Sequence, residues 1–250
     1  MTLRRTSYAG AAMTARGDDA TAWKYVDLAR ATSERGEIVL RQRKPADSEA
    51  DDGLAVLELR VNGVFVMDTL ETSTERTQAT SALAQVDEPR AVLVGGLGLG
   101  FTVHEVLSDR RVERLVVVEV EEDLVAWMRD GTVPHGPGYL ADERLTVVVA
   151  DIRQAIAEAA PESYDLVLLD VDNGPGFLVY DANAEVYRPE FLRQVHRLLR
   201  PGGAVAIWSA AAAPDLQDAI TQTFGHATPI PLDVRLQGRD EQYWLYLAHR

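Results

Sequence analysis

Short hydrophobic runs alternate with segments of helical periodicity through the latter two thirds of the chain. The runs AVLVG (91–95), RLVVVEV (114–120), RLTVVVA (144–150), YDLVLLDV (164–171) and GAVAIWSA (203–210) are nearly continuous in apolar residues. Strands covered on both faces read this way. Each is followed, directly or after a loop, by a stretch that predicts a helix: 101–109, 122–130, 152–160, 189–199 and 214–224. Strand and helix in regular alternation predict an α/β fold with a doubly wound, mostly parallel sheet. The tail breaks the rhythm. TPIPLDVRL (228–236) and EQYWLYLAH (241–249) are joined by the turn QGRD with no helix between, so a C-terminal antiparallel hairpin is expected.

The first seventy residues carry a different pattern. KYVDLARA, GEIVLRQR, LAVLELRV and GVFVMDTL predict short strands, and the Asn62-Gly63 pair is a hairpin signal. KPADSEADDG between them reads as a polar loop. A helix is expected over 74–87, ending before Pro89. The expected organisation is a disordered tail (1–20), a small N-terminal antiparallel β domain (21–73) and a large α/β domain (74–250).

Composition narrows the function classes. The formal net charge of −14 makes the chain a poor candidate for nucleic-acid binding, and it suits a cationic substrate. The apolar runs fall short of a membrane span, and the N-terminus lacks a sustained apolar segment, so neither membrane insertion nor a secretory leader is expected. There is no cysteine, which excludes disulfides and thiolate chemistry and agrees with a cytoplasmic setting. Lysine occurs only at Lys24 and Lys44, outside the glycine-rich half, which argues against Schiff-base enzymes. The histidines at 104, 135, 196, 226 and 249 share no ligand spacing, and no metal is expected.

Candidate chemistry gathers at the strand ends. Gly96, Gly98 and Gly100 form a GxGxG turn between the first strand of the alternating region and its helix. Such a turn lets backbone N–H groups approach a ligand. Phe101 stands where the dinucleotide fingerprint needs a further glycine. Glu119 ends the second strand, where a carboxylate can accept hydrogen bonds from two ribose hydroxyls. Asp151 follows the third, placed either to accept from an adenine amino group or to cap a helix. Asp170, Asp172 and Asn173 end the fourth, where carboxylates can orient a cationic amine or take its proton. Trp208 reads as core, with Ser209 at a strand end nearby.

Together these stretches resemble the spermidine synthase (polyamine aminopropyltransferase) family, over about residues 37–225. VLVGGLGLGFTVHEVL, VVVEV, VVVADIRQAI, YDLVLLDVDNGP and YRPEFLRQVHRLLRPGGAVAIWS carry the likeness. GGLGLGF and DVDNGP are similar to a divergent, spermidine synthase-like subgroup. The resemblance implies a Rossmann-like core of the class I methyltransferase type. It implies Gly96, Gly98, Gly100, Glu119 and Asp151 on the nucleotide, Asp170 and Asp172 as catalytic carboxylates, and Asp170, Asn173 and Tyr187 toward the acceptor. The implied co-substrate is decarboxylated S-adenosylmethionine, the acceptor an amine or related small metabolite, and the assembly a homodimer or homotetramer. Three features depart from the family. Leu99 is read as standing where the family carries an acid in its glycine loop. Asn173 and Gly174 replace an Asp-Pro pair, and TLETSTERTQAT lacks the family's tyrosine motif. Transfer of an aminopropyl group is therefore the leading expectation. Methyl transfer from S-adenosylmethionine is the alternative, because a lost acid would no longer repel the methionine carboxylate. A nucleotide-binding protein without turnover is the third.

Overall fold

The computed structural model describes residues 23–46 and 55–250. The expected disordered tail and most of the expected polar loop lie outside the described residues. The first sheet contains β1 (Trp23–Ser33), β2 (Gly36–Pro45), β3 (Val56–Val61) and β4 (Val64–Asp68), antiparallel and in chain order. Asn62 and Gly63 turn the β3–β4 hairpin with φ of 52° and 76°, the paired positive values that a two-residue hairpin turn requires.

α1 (Ser73–Leu83) leads into the large sheet. It ends four residues before the predicted limit of 87. Ala84 N–H donates to the Thr80 carbonyl, Gln85 N–H to that of Ala82 and the Arg111 guanidinium to that of Leu83, so these C-terminal acceptors are satisfied without another helical turn. The chain continues through β5 (Ala91–Gly95), α2 (Phe101–Ser108), β6 (Arg114–Glu119), α3 (Glu122–Asp130), the single turn α4 (Gly136–Tyr139), β7 (Leu145–Val149) and α5 (Ile152–Glu158). β8 (Tyr164–Leu169), a 3₁₀ helix (Asp181–Tyr187), α6 (Pro189–Leu198), β9 (Leu199–Ser209), α7 (Pro214–Phe224), β10 (Thr228–Leu236) and β11 (Arg239–His249) complete it.

The strand order is β10-β11-β9-β8-β5-β6-β7. Five strands are parallel, and β11 and β10 close one edge antiparallel, as the sequence pattern predicts. Along β8 the side chains alternate between two cores. Leu166 and Leu168 pack with Leu40, Leu59 and Met67 of the small sheet, while Val167 and Leu169 pack under α5, α6 and α7. Both faces are therefore apolar, which is why β8 carries no polar alternation. Among the described residues no helix is long and apolar enough to cross a membrane. The chain runs outward from β5 to β6 and β7 on one side, and to β8 and β9 on the other. Ligands of such sheets bind at this reversal, beyond the carboxyl ends of the strands.

Candidate active site

β5 delivers the glycine turn to that point. Gly96 has φ +96°, and a Cβ there would lie 2.0 Å from the carbonyl oxygen of Asp170. Only glycine lets the β5 and β8 ends come so close. The turn is held from three sides. Gly96 N–H donates to the Val118 carbonyl (2.9 Å), and Leu97 N–H donates to Glu119 Oε2 (2.8 Å). His135 Nε2 lies 2.8 Å from the Leu99 carbonyl, so that nitrogen carries the proton.

A cavity opens between this turn, the small sheet and the strand ends. Its lining includes Gly96, Gly98, Glu119, Asp151, Asp170, Asp172 and Asn173. Two expected residues do not line it. Gly100 caps α2 at φ +85°, and a Cβ there would strike Met128 and Tyr139, so it serves packing. Tyr187 is buried in the second core, its hydroxyl close to the backbone of Gly174 beneath the loop that follows β8. Leu99 also corrects an expectation. Its side chain is fully buried and absent from the lining, so the loop positions facing the cavity are Gly96 and Gly98.

The carboxylates differ in what holds them. Glu119, 8% exposed, accepts N–H groups from Leu97 and Glu121, one on each oxygen, and burial raises its pKa despite those bonds. Asp151 caps α5 through Arg153 N–H and pairs with the Arg153 guanidinium, which holds its carboxyl below the usual range. Asp172 accepts from the backbone of Asn173, Val179 and Tyr180 and from Asn183 Nδ2. Four donors on one carboxylate make it the clasp of its loop, a duty the sequence reading did not assign. Asp170 accepts no side-chain hydrogen bond among the described residues. Burial, then Glu75 and Asp172 nearby, push its pKa up to about 8. A carboxyl with that pKa is suited to taking a proton near neutral pH.

Further lining residues escaped the sequence reading. Arg35, on the β1–β2 turn, donates to Glu121 (2.8 Å) and to the Val120 carbonyl (2.6 Å) beside the Glu119 end. Asp68, Glu71 and Glu75 come from the segment joining the sheets, and Tyr243 and Trp208 from β11 and β9. The signal for the acids was the spacing of Glu71 and Glu75, four apart at a helix start. Eight acidic side chains and one basic one, Arg35, line the cavity among the described residues. The resulting field favours a cation.

Residues 71–226 match the model of the spermine/spermidine synthase domain. Polyamine aminopropyltransferase 2 of Pseudomonas aeruginosa is 33% identical over 165 residues, 60% of this chain and 45% of that protein. Polyamine aminopropyltransferase of Aeropyrum pernix is 30% identical over 186 residues, 70% of this chain and 56% of its own. The chain thus spans about half the length of these curated relatives. The crystal structure of spermidine synthase from Thermotoga maritima shares the fold, with a TM-score of 0.73 at 17% identity, over 89% of this chain and 72% of that one.

Proposed function

Because the chain belongs to the spermine/spermidine synthase domain family, we propose that it transfers an aminopropyl group from decarboxylated S-adenosylmethionine to an amine. In this reading Glu119 accepts from the ribose hydroxyls through its remaining lone pairs, and Asp151 accepts from the adenine amino group. Gly96 and Gly98 leave room for the sulfonium end. The acceptor nitrogen attacks the methylene carbon bound to sulfur, the C–S bond breaks, and 5′-methylthioadenosine leaves as a neutral thioether. Asp170 takes the proton released by the nitrogen, and Asn173 lies beside the acceptor. Most of the rate comes from holding nitrogen, carbon and sulfur in line, and the rest from proton removal.

The observation that carries the reading is Asp170. A carboxyl with a pKa of about 8 and no hydrogen-bond partner among the described residues shares one cavity with Glu119. The test is product identity. The protein is incubated with an amine and either decarboxylated S-adenosylmethionine or S-adenosylmethionine, and the nucleoside products are separated by chromatography. Methylthioadenosine from the decarboxylated form is expected. S-adenosylhomocysteine alone would replace this reading with methyl transfer. No product, alongside a thermal shift with methylthioadenosine, would leave a binding protein without turnover.

A further inference from the structure

Leu99 is gripped on both sides of its backbone. Its N–H donates to Met67 Sδ (3.2 Å) of β4, and its carbonyl accepts from His135 Nε2 (2.8 Å), in the segment between α3 and α4. Met67 thus takes the peptide before Leu99, and His135 takes the peptide after it. A thioether is a weak acceptor, so the bond to His135 is the stronger of the two. The neighbours Gly98 and Gly100 have φ of +50° and +85°. Glycine adopts such angles at no steric cost and lends the turn no stiffness of its own. The shape of the turn is therefore imposed from outside it. Even the fit is tight, because a Cβ on Gly98 would lie 2.7 Å from Met67 Sδ.

His135 is itself fixed. It is the N-cap residue of α4, and its ring sits against Phe101 of α2 (5.3 Å between centroids) and Tyr139 of α4 (4.8 Å). Tyr139 in turn stacks flat on His104 of α2, 4.2 Å away at 6°. Two helices set the direction of the imidazole. A phenyl ring would serve that packing as well, but it could not donate to Leu99. His135 does not line the cavity, whereas Gly98, one residue before the carbonyl it holds, does.

We propose that His135 is a positioning residue for the nucleotide: its Nε2–H fixes the peptide after Leu99 and so keeps the Gly98 wall of the cavity in the shape that receives the donor. The role rests on the transfer reading above. It acts by pre-organisation, since a turn already held in its bound shape has less freedom to lose on binding.

The test separates the ring from the donor. His135→Phe keeps an aromatic ring and removes the N–H. His135→Gln removes the ring and keeps an N–H as many bonds from Cβ as Nε2, while His135→Asn carries its N–H one bond short. Calorimetric titration with methylthioadenosine should show His135→Phe and His135→Asn about tenfold weaker than the parent, as the loss of one hydrogen bond implies, and His135→Gln within about threefold. In turnover assays KM for the sulfonium donor should rise in parallel, and KM for the amine should change less than about twofold. Equal weakening in all three variants, or in none, overturns the assignment. So does a loss that follows the ring, with His135→Gln as weak as His135→Asn and His135→Phe like the parent. Should His135→Phe fail to fold, the comparison of the two amides decides alone. If the parent binds S-adenosylhomocysteine and not methylthioadenosine, the transfer reading fails, and the same variants judge His135 with that ligand. A parent that binds neither overturns both.

Discussion

Replacing Asp170 with asparagine tests the electrostatics of the site apart from turnover. The carboxyl has a pKa near 3.8 in the unfolded chain and about 8 in the folded one. Its contribution to stability is therefore fully present below the lower value and is lost as pH rises through the higher one. At about 1.36 kcal/mol per unit, the whole window amounts to about 6 kcal/mol, and the part above pH 5 to about 4. Asparagine does not titrate, so Asp170→Asn removes this penalty. The stability difference, variant minus parent, should rise from pH 5 to about pH 8 and level off by pH 9. A constant offset from the changed side chain cancels in that slope. Denaturant unfolding followed by the fluorescence of the four tryptophans measures it, and the matching rise in relative Tm is about 10 °C for a chain of this size. A difference that stays flat across the range would refute the claim that Asp170 is held neutral by burial and its acidic neighbours.

If Asp170 takes the amine proton, kcat/KM of the parent should fall as pH drops below about 8, and a profile flat from pH 6 to pH 8 would exclude that role. Gly96→Ala places a methyl 2.0 Å from the Asp170 carbonyl oxygen at a positive φ, so a loss of about 3 kcal/mol or more is expected by chemical denaturation. Leu99→Asp buries a carboxylate with no partner in place of a fully buried leucine. It should destabilise by several kcal/mol and leave the preference between the two sulfonium donors unchanged in any protein that folds. Arg35→Ala should change stability by about 1 kcal/mol or less, since the Arg35–Glu121 pair is partly exposed, yet weaken methylthioadenosine binding measurably by calorimetry.

The α/β alternation, the closing hairpin and the four leading strands were legible because each follows from a local period of hydrophobic residues. Glu119, Asp151 and Asp170 were legible for a related reason: a polar residue at the end of an apolar strand has few places to go but the carboxyl edge of the sheet. What escaped depends on distant contacts. The early end of α1 is held in part by Arg111, nearly thirty positions downstream. The orientation of Leu99 is a matter of one residue's rotation within a glycine turn, where alignment by motif carries no direction. Tyr187 shares a helical neighbourhood with the site in sequence but falls on the buried side of the loop it supports. Arg35 reaches the cavity from the β1–β2 turn and Tyr243 and Trp208 from β11 and β9, all remote in the chain, and only the packing of the two sheets brings them together.

The stretch from the end of β4 into the first turn of α1, with Asp68, Glu71 and Glu75, has a consequence for how the protein can change over time. One side of the cavity is written into strand ends, where Gly96 touches Asp170 and Glu119 grips the glycine turn, so almost any alteration there disturbs the main core. Residues 69–76, by contrast, run through the short link and the first turn of α1, between two sheets whose registers are set elsewhere. Exchange of side chains along that stretch can change the charge of the cavity wall while the strand ends stay as they are. One scaffold can thus present differently charged cavities without being rebuilt.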